Sequence, residues 1–306
     1  MKRALVVLVA VAVVVTAVVA GLAAADRPTP SPPPPAPSAD PDEPPPTTPG
    51  QETAAGATLA PCPLPARADL TVLSLNIHAG RTKAGRLDLG RVAAELRAWD
   101  ADVVLLQEVD RGRRRSDGVD QARWLGRRLG MDAVFGPGRR ARPGASGNAV
   151  LSRYPIVTSG NQRLPSRAGL YGRGLVRATI DVDGRRVDVF STHLEHASRR
   201  VRTQQAGAVV ERVRQSPRPV VVGGDVNAVP GTPPLRRLQR AGLVDAWAVA
   251  GRGDGFTVPA YAPRRRIDFV LADRSFRVRS TEVVLSSISD HRGVLAELTL
   301  LPAACD

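Results

Sequence analysis

The chain has 306 residues, 43% of them hydrophobic, which suffices for one or two domains with a real core. A net charge of +14 invites a polyanionic partner, while 4% aromatic content leaves no evident stacking platform for single-stranded nucleic acid. There is no CxxC, no GxSxG and no Gly-rich phosphate loop, so thiol-redox, nucleophile-elbow and P-loop chemistries have no foothold.

The basic residues are almost all arginine, with Lys2 and Lys83 the lysines. Runs such as Arg113-Arg114-Arg115, Arg139-Arg140 and Arg264-Arg265-Arg266 read in two ways. They form a polyanion-binding surface, or they reflect the compositional bias of an Ala-, Val-, Gly- and Arg-rich chain.

Lys2 and Arg3 precede an uncharged run from Ala4 to Ala25 that ends in small residues. Residues 1–26 therefore read as a secretory signal peptide or, given the length of the run, as an N-terminal membrane anchor. Either way the remainder is exported, with Lys2 and Arg3 left on the cytoplasmic side. The expected address is extracytoplasmic, secreted or tethered to the outer face of the cytoplasmic membrane. No Cys follows the run, which argues against lipid attachment of the bacterial lipoprotein kind.

Residues 27–66 read as a disordered Pro-rich linker, because the stretch from Pro28 to Pro49 cannot bury enough apolar surface to fold. It favours extended polyproline II, a stiff spacer that suits an anchored protein. The folded part is expected over 67–306, with Cys62 and Cys305 at its two edges. In an oxidising compartment one disulfide would join them and make the first and last strands neighbours; two unpaired thiols are the alternative.

In chain order, Asp69 to Ile77 alternates as a strand and Leu87 to Trp99 carries apolar residues at helical spacing. Asp102 to Gln107 is a buried strand delivering Glu108, and Ala122 to Leu129 a basic helix. Short strands are expected at 148–152 and 156–158 around the turn Tyr154-Pro155. The strands 175–182 and 185–192 flank Asp183-Gly184, a strong hairpin signal, and the second delivers His193. A helix over 201–214, a strand over 220–222 and a short helix over 234–240 follow. Strands at 267–271, 278–284 and 294–300 close the chain. Helices and hairpins interleave, which predicts an α/β fold with mixed sheets.

Polar residues gather at the strand ends: Asn76, Glu108, His193, Asp225, Asn227, Asp290 and His291, with Asp268 at the start of a strand. Strand and loop ends are where α/β proteins place chemistry. In Val220-Val221-Val222-Gly223-Gly224-Asp225-Val226-Asn227 the glycines break a β-branched run and permit close backbone approach. Asp225 and Asn227 then share one side of whatever extended chain remains. The set holds hard oxygen ligands for a divalent cation, two histidines able to donate to phosphate oxygens, and an Asp suited to a water site.

The motifs LSLNIHAG, VVLLQEVD, GNAVLSRYP, FSTHLEH, VVVGGDVNAVP, RRRIDFVLA and SISDHRGV run in an order that resembles the endonuclease/exonuclease/phosphatase superfamily, and cover roughly Ala68 to Leu301. The resemblance implies a four-layer α/β/β/α sandwich of two mixed sheets, as in DNase I-like enzymes, with the polar strand ends converging on one edge. It implies that Glu108 binds catalytic Mg2+ or Mn2+ with Asn76 beside it. Asp225 would orient or deprotonate water, and Asn227 would position that water and a phosphate oxygen. His193 and His291 would contact phosphate, with Asp290 holding His291 in one tautomer and Asp268 supporting the hydrogen bonds. Arg173 and Asn148 are further candidates for substrate phosphate. His78 reads as structural and His196 as a solvated residue at a helix start. Val226 stands where relatives place an aromatic, a hydrophobic swap expected to be harmless.

The implied activity is hydrolysis of a phosphodiester by an exported, metal-dependent phosphoesterase, expected to act as a monomer. Its substrate would be nucleic acid, on the strength of the arginines, or a phospholipid head group, on the strength of the stalk and anchor. A non-catalytic polyanion-binding module is the reading of a different class, and no metal carboxylate or histidine is missing to favour it.

Overall fold

The computed structural model describes residues 68–140 and 143–302. The N-terminal run, the Pro-rich segment and both cysteines of the expected disulfide lie outside the described residues. Among the described residues, no helix is long and apolar enough to cross a membrane.

The strands are β1 (Ala68–Asn76), β2 (Val103–Arg111), β3 (Asp132–Arg140), β4 (Ala145–Ser152), β5 (Ile156–Arg163), β6 (Gly174–Val182), β7 (Arg185–His193), β8 (Val220–Asp225), β9 (Val244–Asp245), β10 (Asp268–Ala272), β11 (Phe276–Val284) and β12 (Gly293–Leu300). The helices are α1 (Leu89–Trp99), α2 (Gln121–Leu129), α3 (Arg199–Arg214), α4 (Pro233–Arg240) and α5 (Ala246–Ala250). One sheet runs β11-β12-β1-β2-β4-β3 and the other β5-β6-β7-β8-β10-β9. The pairs β1–β2 and β7–β8 are parallel and the rest antiparallel, so both sheets are mixed. β1 lies beside β12, as the terminal cysteines led us to expect.

Period-two alternation sorts each central strand into two faces. Leu70 and Val72 of β1, Leu105 of β2, Val187 and Val189 of β7 and Val221 of β8 pack between the sheets. The intervening Leu73, Leu75 and Leu106 face outward onto Val92 and Leu96 of α1 and Leu125 of α2. On the other side Phe190, Val220 and Val222 meet Ala206, Val209 and Val213 of α3 and Leu235 and Leu238 of α4. Helices, sheet, sheet and helices make a four-layer α/β/β/α sandwich. Side chains cap the helices where they must: Asp88, Asp120 and Ser198 accept from the backbone N–H of Arg91, Arg123 and Val201.

The inter-sheet face changes character along the strands. In β1 it reads Leu70, Val72, Ser74, Asn76; in β7 Val187, Val189, Ser191, His193; in β8 Val221, Gly223, Asp225. Apolar packing gives way to small residues and then to the polar ends. Gln107 spans the gap there, its amide donating to Ser191 Oγ at 3.1 Å while Ser191 Oγ donates to Leu106 O at 2.9 Å.

β3 has no counterpart in the sequence reading, because its Gly-Pro-Gly reads as a loop. It is an edge strand whose register breaks between Pro137 and Arg139, where a proline is tolerated. β9 and α5 are likewise unanticipated short elements.

A Cβ at Gly223 would lie 2.5 Å from Leu105 Cδ1 and 3.1 Å from Ser74 Cβ, both in the facing sheet. Gly223→Ala is expected to destabilise the fold by about 1–3 kcal/mol through overpacking. In urea titrations Gly160→Ala, on exposed β5 with open space around it, should stay within about 0.5 kcal/mol of the parent.

Candidate active site

The strands that end together place the polar residues. His193 of β7 lies opposite Asp225 of β8 in the parallel register, and Asp268 of β10 lies opposite Asp225 on its other side. Asn76 closes β1 in the facing sheet, and its amide nitrogen reaches Glu108 Oε1 at 3.2 Å and Asp225 Oδ2 at 3.3 Å. One side-chain amide thus holds two carboxylates from different sheets.

Glu108 is not simply a strand end. By alternation it would follow Leu106 onto the outer, helix-covered face. Instead the β2–β4 register shifts between Leu106 and Val109, and Glu108 adopts φ +55°. Val109 resumes the outer face. A β-bulge has inserted Glu108 as the extra residue and turned it into the site, a left-handed conformation rare for a side-chain-bearing residue. Asn227 likewise takes φ +52°. The strand ends at Asp225, so a turn, and not alternation along extended chain, brings Asn227 beside Asp225. Its N–H donates to Asp225 Oδ1 at 2.9 Å, and its amide nitrogen sits 3.0 Å from His193 Nε2 and donates to Leu194 O at 3.0 Å.

His193 Nε2 also lies 3.3 Å from Asp225 Oδ2, while Nδ1 lies 3.9 Å from Glu108 Oε1. Burial, then the positive charges of Arg173, His291 and His196, hold His193 well below its ordinary pKa, so it is neutral. His291 differs. Burial pulls its pKa down, yet the charge and hydrogen bond of Asp268 and the charges of Asp225 and Asp290 push it up to about 10. Its Nδ1 meets Asp268 at 2.9 and 3.1 Å, and its Nε2 points toward Asp225 Oδ2 at 3.8 Å.

Here the sequence reading is corrected: Asp268, and not Asp290, orients His291. Asp290 acts on His291 through its charge, and its backbone oxygen accepts from Ala260 N. The carboxylate that meets the imidazole is that of Asp268, at the start of β10. Burial and the neighbouring charge of Asp268 raise Asp225 to about 7, against the opposing pull of His291, Asn227 and Asn76.

The donor set fits a divalent cation at Glu108. Its carboxylate is one-third exposed to the cleft and stands beside Asp225, so hard oxygen ligands converge where one amide is the shared donor. Asn76 as placed turns its NH2 group, not its oxygen, toward the carboxylates, and its oxygen accepts from His78 N at 3.0 Å. It ties the carboxylates together and is not itself an oxygen ligand in this arrangement. Asp225, Asp268 and His291 also offer ligand atoms within 4.8 Å of one another. A ring nitrogen of His291 would have to surrender its proton to join a metal, which makes Glu108 the better anchor.

The remaining predicted residues divide. Arg173 lines the cleft with its Nη2 3.3 Å from His196 Nδ1. Asn148 lies inside β4 and donates to Gly174 O at 2.8 Å, so it ties the sheets together at the cleft floor. His78 does not line the cleft. His196, read as a solvated residue, does, together with Arg113, Arg115 and Arg139, which the sequence reading named within its basic runs, and Tyr171, which it did not name.

Residues 73–291 match the sequence model of the Endonuclease/Exonuclease/phosphatase family. The chain belongs to this family. YbhP of Escherichia coli is 30% identical over 247 residues, covering 75% of this chain and 96% of YbhP. Protein cwh43 of Schizosaccharomyces pombe is 33% identical over 171 residues, 55% of this chain but only 17% of the length of cwh43. The solved endonuclease/exonuclease/phosphatase from Beutenbergia cavernae superposes with a TM-score of 0.61 at 28% identity, over 76% of this chain and 72% of that one. This family member therefore has the fold of a phosphoesterase and a polar strand-end cluster of its own.

Since the folded pKa of His291 is raised, its protonation stabilises the fold fully below the ordinary 6.5, and that contribution is lost as pH rises through about 10. Asp268→Asn should lower the His291 pKa by NMR titration and flatten the decline of unfolding free energy between pH 7 and 10. An unchanged titration would show that Asp268 does not set the charge of His291.

Proposed function

We propose that this chain is an exported, divalent-cation-dependent phosphoesterase that cleaves a phosphodiester by attack of water. The supporting observation is the contact of Asn76 with both Glu108 and Asp225, encircled by His193, Asn227 and His291. Glu108 would hold Mg2+ or Mn2+, with Asp225 beside it. A cation there would polarise a phosphoryl oxygen and offset the charge of the ester.

The chain's own groups supply the rest. Asp225, raised to about 7, is matched to taking a proton from water near neutral pH. Asn227 and neutral His193 border that carboxylate and orient the water. His291, kept cationic by Asp268, presents Nε2–H to the phosphoryl oxygen that gains charge, where a fixed donor acts most strongly. The Arg173 guanidinium faces the same cleft and supplies a second donor to phosphate. The basic, apolar and Pro-rich N-terminal segments support a secreted or membrane-tethered address.

The test is turnover of bis(4-nitrophenyl) phosphate, plasmid DNA and sphingomyelin with Mg2+ or Mn2+. Glu108→Gln should cost roughly 10²–10³-fold in kcat, the scale of losing one transition-state contact, with circular dichroism unchanged, and EDTA should abolish turnover. Activity that survives both treatments would sink the metal-assisted reading; three inert substrates would favour a binding module.

A further inference from the structure

The cleft, about 380 Å³ in volume, is lined by charges of both signs. Glu108 and Asp225 share it with Arg113, Arg115, Arg139 and Arg173. Arg115 is already committed, donating twice to the fully buried Asp110 at 2.7 and 2.9 Å. Arg173 faces the phosphate position and His196. That leaves Arg139 and Arg113, neither of which has a carboxylate within 4.0 Å among the described residues.

Arg139 is nevertheless held in place. Its guanidinium lies 4.5 Å from the centre of the Tyr171 ring, and that ring lies 6.1 Å from the ring of His196. The placement is built by backbone contact. A Cβ on Gly138 would stand 3.0 Å from Gly172 O, and one on Gly172 would stand 2.7 Å from Gly138 O. The glycines let the end of β3 meet the loop before β6, so Arg139 and Tyr171 share one wall. A chain-wide surplus of arginine explains scattered surface charge; it does not explain a continuous row of Arg139, Tyr171, His196 and Arg173 lining a cleft. In the sheet, β3 stands two strands from Glu108 on β2, with β4 between, roughly 10 Å at ordinary strand spacing.

We propose that Arg139, braced on Tyr171 and assisted by Arg113, binds a second phosphate on the substrate, so that the enzyme prefers phosphodiesters bearing a further phosphate within roughly 10 Å of the scissile one. This rests on the phosphoesterase reading and narrows its substrate class. The second phosphate has two natural sources, the next phosphate of a nucleic acid or a ring phosphate of a phosphoinositide head group.

The test uses the full chain with Mn2+ and two matched substrate pairs. One is thymidine 5′-(4-nitrophenyl phosphate) with and without a 3′-phosphate; the other is glycerophosphoinositol with and without a 4-phosphate. The phosphorylated member of at least one pair should have a kcat/KM about 10–100-fold higher, the scale of one charged contact. Arg139→Gln should bring that ratio close to one, and Arg139→Lys should restore part of it. A preference in a single pair supports the proposal and names the source. Equal kcat/KM within both pairs, or a ratio untouched by Arg139→Gln, overturns it. If neither pair is cleaved, turnover bears on the phosphoesterase reading and not on the subsite. Calorimetry on Glu108→Gln then decides the subsite, which requires thymidine 3′,5′-bisphosphate to bind at least tenfold tighter than thymidine 5′-phosphate and is refuted by equal affinities.

Discussion

The site depends on one close approach. At Gly223 the second sheet comes so near the first that no side chain fits between, and two residues further on Asp225 meets the amide of Asn76. These residues are 149 positions apart and belong to different sheets. Stacked sheets ordinarily stand about 10 Å apart, filled by interleaved side chains. Here the filling shrinks from valine and leucine to serine and glycine toward one edge, and the Gln107 amide donates across the narrowed gap to Ser191. The functional groups can then touch directly across the sandwich.

That geometry has an electrostatic consequence. Asp225 and Asp268 are buried side by side, and two carboxylates in a poorly solvated place resist ionising together. The protein answers in two ways. His291 is kept charged between them, and Asp225 is raised toward neutrality, where it can exchange a proton. Glu108, brought in from a bulge and partly open to the cleft, remains the acid best placed for an external cation. Left-handed backbone at Glu108 and Asn227 concentrates strain where the chemistry is, as functional sites commonly do.

Function and stability pull against each other along these strands. The apolar half of the sandwich carries the fold, with Val189, Val221 and Leu105 fully buried between the sheets. The polar half gives up such packing and brings hydrogen-bonding and charged side chains together instead. The same trade shapes the part of the cleft that carries Arg139, where the backbone contact of Gly138 with Gly172 replaces side-chain packing and leaves Arg139 and Tyr171 to line the open space.

Much of this was legible in residue order. Alternation located β1, continuous apolar runs located β2 and β8, helical spacing located α1, and Asp183-Gly184 marked the β6–β7 hairpin, because these signals depend on neighbours one to four positions away. The motifs also named Asn76, Glu108, His193, Asp225, Asn227, Asp268 and His291. Hidden from the sequence were the bulge that turns Glu108 inward, the pairing of His291 with Asp268 instead of Asp290, and the edge strand that carries Arg139. Each of these is decided by contacts between segments far apart in the chain. A strand's period says which residues share a face, but the partner across the gap, and the register in which it arrives, exist only once the two sheets are packed.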